Sequence, residues 1–333
     1  MKTILRLFAL AVLTTAVHGC IREDMDDCLQ YSLKVKAVDV EGNDITTSGT
    51  LTSVDIYLFD ENGFVRMVPQ GSSTDFLLGT DKDKPLTLVA WGNLKSDTLK
   101  MPELAVGTSM KDARIELMQK EDGYHLPATD IFYSRQEVTG ASTRGLLEET
   151  LVLTLERRVA GMTIRTKNLE KKFGTGEPCH FVVYGVGNAL NFMGEPVGGT
   201  VGYRPTIQHS NEKDVQAPAF RILPTPQENA LSLSLCRGDK VLFTVKEDSE
   251  GKPLMAKPGE YLNVVIDFEA PVVDPDDPDN PDNPDDPDNP DNPDNPDNPD
   301  NPDNPDNPDK PKTTIKVTVN VKEWGNVDQS TQV

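Results

Sequence analysis

The sequence predicts an all-β protein made of β-sandwich domains, and two patterns carry this prediction. Apolar and polar residues alternate along segments that recur every ten to twenty residues, with Gly, Pro, Asp and Asn between them. Such spacing is typical of the short strands of sandwiches. No long segment repeats its apolar residues with the 3.6-residue period of a helix. Because 333 residues exceed what one hydrophobic core usually organises, we predict two domains.

The first predicted domain, residues 29–145, begins with a clear strand. In "LQYSLKVKA" every second residue from Leu29 to Ala37 is apolar, which indicates a strand that is buried on one face. "SVDIYLFDENGFVRMV" has apolar runs on both sides of a D-E-N-G turn and predicts a hairpin. "KPLTLVAWGNL" follows as a more continuously apolar strand.

The second predicted domain comprises residues 146–273 and 313–333. Its predicted strands include "LVLTLERRVAGMTI", "CHFVVYGVGNALNFMG" and "GEYLNVVIDFEA", and "ALSLSLCRGDKVLFTVKED" predicts a hairpin with R-G-D at the turn. The chain ends in "TTIKVTVNVKEW", where four apolar residues share one face: Ile315, Val317, Val319 and Val321.

An acidic spacer at residues 274–312 separates the last predicted strand from the rest of this domain. Residues 274–309 are twelve consecutive triplets with proline in the middle of each and only Asp or Asn elsewhere. Because proline removes a backbone donor and no apolar residue is present, we expect a disordered or extended segment rather than a core. In polyproline II geometry, at about 3.1 Å per residue, the triplets would reach on the order of 110 Å.

The N-terminus predicts export and lipidation. Residues 1–19 have Lys2 and Arg6 before an apolar run, as in a secretory signal peptide, and Cys20 follows as the expected lipidated residue of the mature chain. A plain secretory signal with an incidental cysteine is the alternative. The leader at residues 20–28 is either a solvated flexible segment or an acidic signal for export to the cell surface. The residues of that signal would be Glu23, Asp24, Asp26 and Asp27.

Composition and motifs exclude several classes of function. The spacer holds fifteen aspartates and supplies most of the formal net charge of −21, and the rest of the chain has no basic cluster of the kind that nucleic acid requires. G-x-S-x-G, H-E-x-x-H and P-loop motifs are absent, and so are Cys/His clusters with metal-ligand spacing. We therefore predict no catalytic residue, metal, cofactor, small-molecule substrate or nucleic-acid partner. Of the remaining cysteines, Cys179 and Cys236 either form a disulfide or stay as buried free thiols.

Several segments together resemble the FimB-type anchor lipoproteins of Bacteroidales type V fimbriae. They are "GCIREDMDDC", "TLVAWGNL", "LTLERRVAGMTI", "VYGVGNALNFMGE" and "VTVNVKEW". The resemblance implies two transthyretin-like β-sandwich domains behind a lipid on Cys20, a surface-exposed position on the outer membrane and no enzymatic activity. It also implies assembly with fimbrial shaft subunits by donor-strand exchange. Shaft subunits lose their first strand, whereas an anchor keeps it, so "LQYSLKVKA" would complete its own sheet and end shaft growth.

The resemblance leaves two positions open for the last strand. In one, residues 313–323 pair within their own domain, beside "YLNVVIDF". In the other, which we favour narrowly, the spacer carries the strand to a groove of an adjacent subunit, where Ile315, Val317, Val319 and Val321 fill the groove. Two other functions share the same signal and sandwiches: a glycan-binding surface lipoprotein of a nutrient-uptake system, and a tip adhesin of the same fimbria.

Overall fold

The computed structural model confirms the all-β fold class. It describes residues 28–68, 75–81, 85–101, 103–138, 149–209, 214–226, 230–248, 250–271 and 313–324. Within these ranges the chain forms eighteen strands, one short α-helix and one 3-10 turn at Thr46–Ser48.

The strands have the following bounds in chain order. The first nine are β1 (Cys28–Val38), β2 (Val54–Asp60), β3 (Gly63–Met67), β4 (Asp75–Asp81), β5 (Leu86–Gly92), β6 (Leu99–Lys100), β7 (Arg114–Leu117), β8 (Phe132–Val138) and β9 (Glu149–Arg157). The second nine are β10 (Ala160–Lys167), β11 (Cys179–Asn191), β12 (Pro196–Tyr203), β13 (Gln208–His209), β14 (Val215–Ile222), β15 (Ser232–Arg237), β16 (Lys240–Val245), β17 (Glu260–Pro271) and β18 (Thr313–Glu323). Helix α1 spans Leu169–Phe173.

These strands are arranged in three sheets. A seven-stranded sheet has the order β3-β2-β5-β8-β9-β1-β4. A five-stranded sheet has the order β13-β14-β10-β17-β18, and a six-stranded sheet has the order β16-β15-β11-β7-β6, with β12 also paired to β11. The pairs β1–β9 and β10–β17 are parallel, and the other pairs of named strands are antiparallel. The two hairpins predicted from D-E-N-G and R-G-D are β2–β3 and β15–β16, so both are confirmed.

Strands from both halves of the sequence share sheets. The predicted boundary near residue 145 lies outside the described residues, and the domain bounds 29–145 and 146–273 with 313–333 stay a prediction. β9, the first described strand after residue 145, pairs with β1 in the seven-stranded sheet. In the other direction, β7 from the first half pairs with β11, with Ile115 opposite Leu190. The sheets therefore interlock across the middle of the chain.

Strand β2 is buried on both faces. Ile56 and Leu58 face a core that the strands of the seven-stranded sheet share. Tyr57 and Phe59 point the other way, into a second core that also contains the apolar residues of the five- and six-stranded sheets. Phe192, in the turn after β11, contacts both of those rings, with centroid distances of 4.9 and 5.7 Å. This aromatic contact joins the seven-stranded sheet to the second core.

Asn93, directly after β5, holds two loops together. Its backbone has a left-handed φ of 63°, which asparagine tolerates better than most residues. The side-chain oxygen accepts from the backbone N–H of Thr52 at 2.7 Å. The side-chain amide donates to the carbonyl groups of Thr50 at 2.7 Å and Asp130 at 2.9 Å. Asn93 thereby fixes the position of Asp130, whose carboxylate belongs to the site described next.

Candidate functional site at the last strand

Strand β18 lies in a sheet of its own chain. It pairs antiparallel with β17 from Glu260 opposite Glu323 to Pro271 opposite Thr313, with one irregularity between Asp267 and Ala270. Among the described strands it is the last member of the five-stranded sheet. The structure therefore has the first of the two positions that the sequence left open.

The predicted donor residues of β18 face the core but are incompletely covered. Ile315, Val317 and Val319 pack against the second core and remain partly exposed. Val321 continues the row and is 53% exposed. Their neighbours on the same face of β17 are fully buried. The structure thus brings the four residues into one row at the edge of the five-stranded sheet, as far as the described strands go.

Trp324, directly after β18, holds the end of the strand in place through one backbone hydrogen bond and several side-chain contacts. Its backbone N–H donates to the carbonyl of Gly259 at 2.7 Å, and its side chain is 7% exposed. The indole meets the ring of Tyr261 edge-on at 5.8 Å. The guanidinium carbons of Arg157 and Arg221 lie 4.2 and 5.2 Å from the indole centroid. Contacts of this kind are cation–π interactions, which are strongest when they are shielded from water.

A buried ion pair holds Arg157 against that indole. Nε and Nη2 of Arg157 donate to the two carboxylate oxygens of Asp130 at 2.7 and 3.0 Å, and Nη1 donates to the carbonyl of Trp324 at 3.2 Å. Arg221 approaches the same carboxylate at 3.9 Å. A two-point contact between Arg and Asp fixes direction as well as distance. We call Trp324, Arg157, Asp130, Arg221 and Tyr261 the Trp324 cluster.

The Trp324 cluster depends on a glycine in β10. A Cβ at Gly161 would overlap the ring of Tyr261 and lie 3.3 Å from the ring of Trp324. Burial also raises the pKa of the Tyr261 hydroxyl. The cluster therefore joins β10, β17 and β18 of one sheet to β9 and to the loop before β8.

The first strand is also held inside its own sheet. β1 lies between β9, to which it is parallel, and β4, to which it is antiparallel. Leu33, Val35 and Ala37 are buried in the core of the seven-stranded sheet, as their alternation predicts. Lys34 between them is exposed. A strand with partners on both sides leaves no open position beside β9.

Cys179 and Cys236 are both buried free thiols. Cys179 lies opposite Arg237 on the β11–β15 pair, and Cys236 lies opposite His180. Since residues that face each other across antiparallel strands share a face and successive residues alternate, the two thiols point to opposite faces of the sheet. Burial raises the pKa of the Cys236 thiol, and Cys179 adds to that effect. Of the two sequence alternatives, the structure has the free thiols.

The remaining predicted site residues lie outside the described residues. These are Cys20, Glu23, Asp24, Asp26, Asp27 and the whole spacer. Within the part of the chain that the structure describes, no group of His, Cys, Asp and Glu has the arrangement of a metal site. Likewise, none of the described helices is long and apolar enough to cross a membrane.

Comparison with known proteins gives a family match along nearly the whole chain. The model of a family described as fimbrillin-A associated anchor proteins Mfa1 and Mfa2 matches residues 25–330. The major fimbrium anchoring subunit FimB of Porphyromonas gingivalis is 28% identical over 264 residues, which cover 75% of this chain and 85% of FimB.

Solved structures share the fold. The fimbrial anchor protein Mfa2 of Porphyromonas gingivalis has a TM-score of 0.52 at 14% identity, over 72% of this chain and 91% of Mfa2. A candidate adhesin of Bacteroides ovatus has a TM-score of 0.55 at 14% identity, over 74% of this chain and 90% of the adhesin.

Proposed function

The chain belongs to the family of fimbrillin-A associated anchor proteins, and from this premise we propose that it is the surface subunit that anchors a type V fimbria to the outer membrane and ends its shaft. The relatives carry the anchoring role in their names. No catalytic step is part of the proposal, because the relatives are structural subunits.

One observation carries the proposal: β1 lies between β9 and β4 in the seven-stranded sheet. In donor-strand assembly a subunit accepts a neighbour only where a strand is missing, because the exposed backbone donors and acceptors then need a partner. Here the place of the first strand is filled by the chain itself. Such a subunit is suited to the end of a shaft, since no further subunit enters at that position.

The membrane end of the anchor is Cys20 in this proposal. Acyl chains on that cysteine would hold the protein in the outer membrane, each buried methylene contributing roughly 0.8 kcal/mol. Glu23, Asp24, Asp26 and Asp27 would direct it to the outer face. A Cys20→Ser variant should leave the outer membrane fraction, and persistence of the variant there would contradict the lipid anchor.

The fimbrial end is the region of β18. Donation of β18 to an adjacent shaft subunit would supply the contact, and the acidic spacer is long enough for the strand to reach another chain. Donation would begin with release of Trp324 and of the pairing with β17.

The test is an affinity pull-down from solubilised outer membranes, with the full chain and a version ending at Asp309. A fimbrial shaft subunit should co-purify with the full chain. If it disappears with the shortened version while that version stays folded, the region of β18 makes the contact. If no fimbrial subunit co-purifies with the full chain, the anchoring proposal fails.

A further inference from the structure

Two tyrosines lie side by side on the outer face of the six-stranded sheet. Phe181 and Val183 of β11 point into the second core, so Tyr184 on the same strand points outward, and 43% of its side chain is exposed. A Cβ at Gly202 of β12 would lie 2.6 Å from the ring of Tyr184 and 3.2 Å from the ring of Tyr124. Both rings therefore rest on the bare backbone of Gly202.

A backbone bond and a side-chain bond hold this pair of rings in place. The N–H of His125, next to Tyr124, donates to the carbonyl of Gly202 at 2.9 Å. Burial, and then a hydrogen bond between its hydroxyl and that of Tyr124, raise the pKa of Tyr184 to about 12. Because the two rings are already fixed, a partner that binds them pays little side-chain entropy.

A positively charged side chain flanks the rings. Arg204, directly after β12, is exposed, and its guanidinium carbon lies 6.0 Å from the ring centroid of Tyr124. Burial and then the charge of Arg204 lower the pKa of His180, while Asp239 opposes this shift. Among the described residues, no carboxylate forms an ion pair with Arg204. We call Tyr124, Tyr184, Arg204 and His180 the tyrosine patch.

The groups of the tyrosine patch suit a sugar ring that carries a carboxylate. One face of a pyranose ring presents C–H groups that pack on aromatic faces, and the hydroxyl groups at its rim pair with polar tips such as those of tyrosine. A guanidinium matches a carboxylate with two parallel hydrogen bonds. Ser232 of β15, opposite Tyr184, adds a hydroxyl on the same face. A purely apolar partner would leave the guanidinium and these hydroxyls unpaired.

We propose that the tyrosine patch binds an acidic sugar residue, a uronic or sialic acid, of a glycan. Tyr124 and Tyr184 stack against the C–H face of the sugar ring, and Arg204 pairs with its carboxylate. The site goes beyond the anchoring role, because it lies on the outer face of the six-stranded sheet, whereas β18 belongs to the five-stranded sheet. It gives the subunit a second contact, with a glycan rather than with a protein.

The test measures binding of soluble polymers to the full-length chain by isothermal titration. Polysialic acid and polygalacturonic acid carry the two kinds of acidic sugar. Dextran carries neutral sugars, and polyglutamate carries carboxylates without sugar rings.

Four variants separate stacking from charge. Tyr184→Ala removes one stacking face, and Tyr184→Phe keeps it. Arg204→Ala removes the guanidinium, and Arg165→Ala removes another exposed arginine, on β10, as the matched control. The melting midpoint of each variant checks folding. Because Arg204 is exposed, Arg204→Ala decides the question if Tyr184→Ala lowers the midpoint.

We expect at least one of the two acidic polysaccharides to bind, with dextran and polyglutamate binding more weakly. Tyr184→Ala and Arg204→Ala should each weaken this binding about tenfold, since each removes a stacking or bidentate contact. Tyr184→Phe and Arg165→Ala should stay within about threefold of wild type. The acidic polysaccharide that binds identifies the source of the sugar.

Several results would overturn the sugar site. If neither acidic polysaccharide binds, the tyrosine patch has no such ligand. Equal binding of dextran would exclude the carboxylate contact. Equal binding of polyglutamate, or equal losses in Arg204→Ala and Arg165→Ala, would show an attraction of charge alone. Shaft subunits should co-purify equally with wild type and Tyr184→Ala, so failure of the sugar site leaves the anchoring proposal intact, and failure of anchoring leaves the sugar site.

Discussion

Replacing Trp324 with alanine should destabilise the end of β18. The indole is 7% exposed and is stacked against the guanidinium of Arg157 at 4.2 Å. Truncation of a buried aromatic residue to alanine costs about 3–5 kcal/mol. The backbone bond from Trp324 to Gly259 does not depend on the side chain and should persist. We therefore expect the lower half of that range, about 3–4 kcal/mol.

Urea unfolding of the full chain measures this loss, with hydrogen exchange to locate it. Trp324→Phe keeps an aromatic face and should cost less than Trp324→Ala, and Lys322→Ala on the same strand should stay within about 0.5 kcal/mol of wild type. A double-mutant cycle with Arg157→Met should give a coupling of about 1–2 kcal/mol, because cation–π contacts away from water are of that size. Exchange should accelerate in β18 and not in β1.

Two results would refute the reasoning. If Trp324→Ala unfolds within about 1 kcal/mol of wild type, the indole does not fasten the strand. If the coupling with Arg157 is zero, the stacking seen in the Trp324 cluster contributes nothing to stability.

Three further changes test other contacts. Gly161→Ala should lower stability by about 1–3 kcal/mol in thermal unfolding, because the new methyl group overlaps Tyr261. Gly199→Ala is its control, since a Cβ there meets no atom within 4 Å. Equal melting points of the two variants would contradict the predicted overlap. Asn93→Asp replaces the two N–H donors of the amide with an acceptor that faces carbonyl groups, and should cost about 2–3 kcal/mol in urea unfolding. An unchanged stability would show that the two loops joined by Asn93 do not need its amide. Burial raises the pKa of the Asp55 carboxyl above its ordinary value, so the stability that this group contributes is present at low pH and is lost as pH rises through the raised pKa. Asp55→Asn should therefore be more stable than wild type at pH 7 and gain nothing at pH 3 in urea unfolding, and a loss at pH 7 would contradict the assignment.

Local alternation predicted many of the strands but missed β4, β6, β8, β12, β13 and β14. β1, β9, β15 and β18 follow the two-residue period, because each of them buries one face more than the other. In β2 the same rule places Val54, Ile56 and Leu58 on one face. The structure buries Tyr57 and Phe59 as well, because Phe192, more than 130 residues later, packs against them. A pattern within one strand carries no signal about such a distant partner.

The Trp324 cluster could not be assembled from the sequence for the same reason. Asp130 and Arg157 are 27 residues apart, and Trp324 lies 167 residues beyond Arg157. Arg157 and Trp324 fall within segments that resemble anchor lipoproteins, and this was the only signal available. Asp130 had none. Whether Cys179 and Cys236 form a disulfide could not be predicted either, because only the register of β11 against β15 shows which faces the thiols occupy.

The register of β17 and β18 has a consequence for the number of acidic triplets. Pro271 lies opposite Thr313, so the two ends of the 41-residue segment from 272 to 312 meet at one place in the sheet. The entropy of closing such a connection grows with the logarithm of its length, and doubling or halving the length changes the free energy by only about 0.6 kcal/mol. Copies of the triplet can therefore be gained or lost during replication with almost no effect on the folded sandwich. Selection on their number would then act through what the segment does outside the fold.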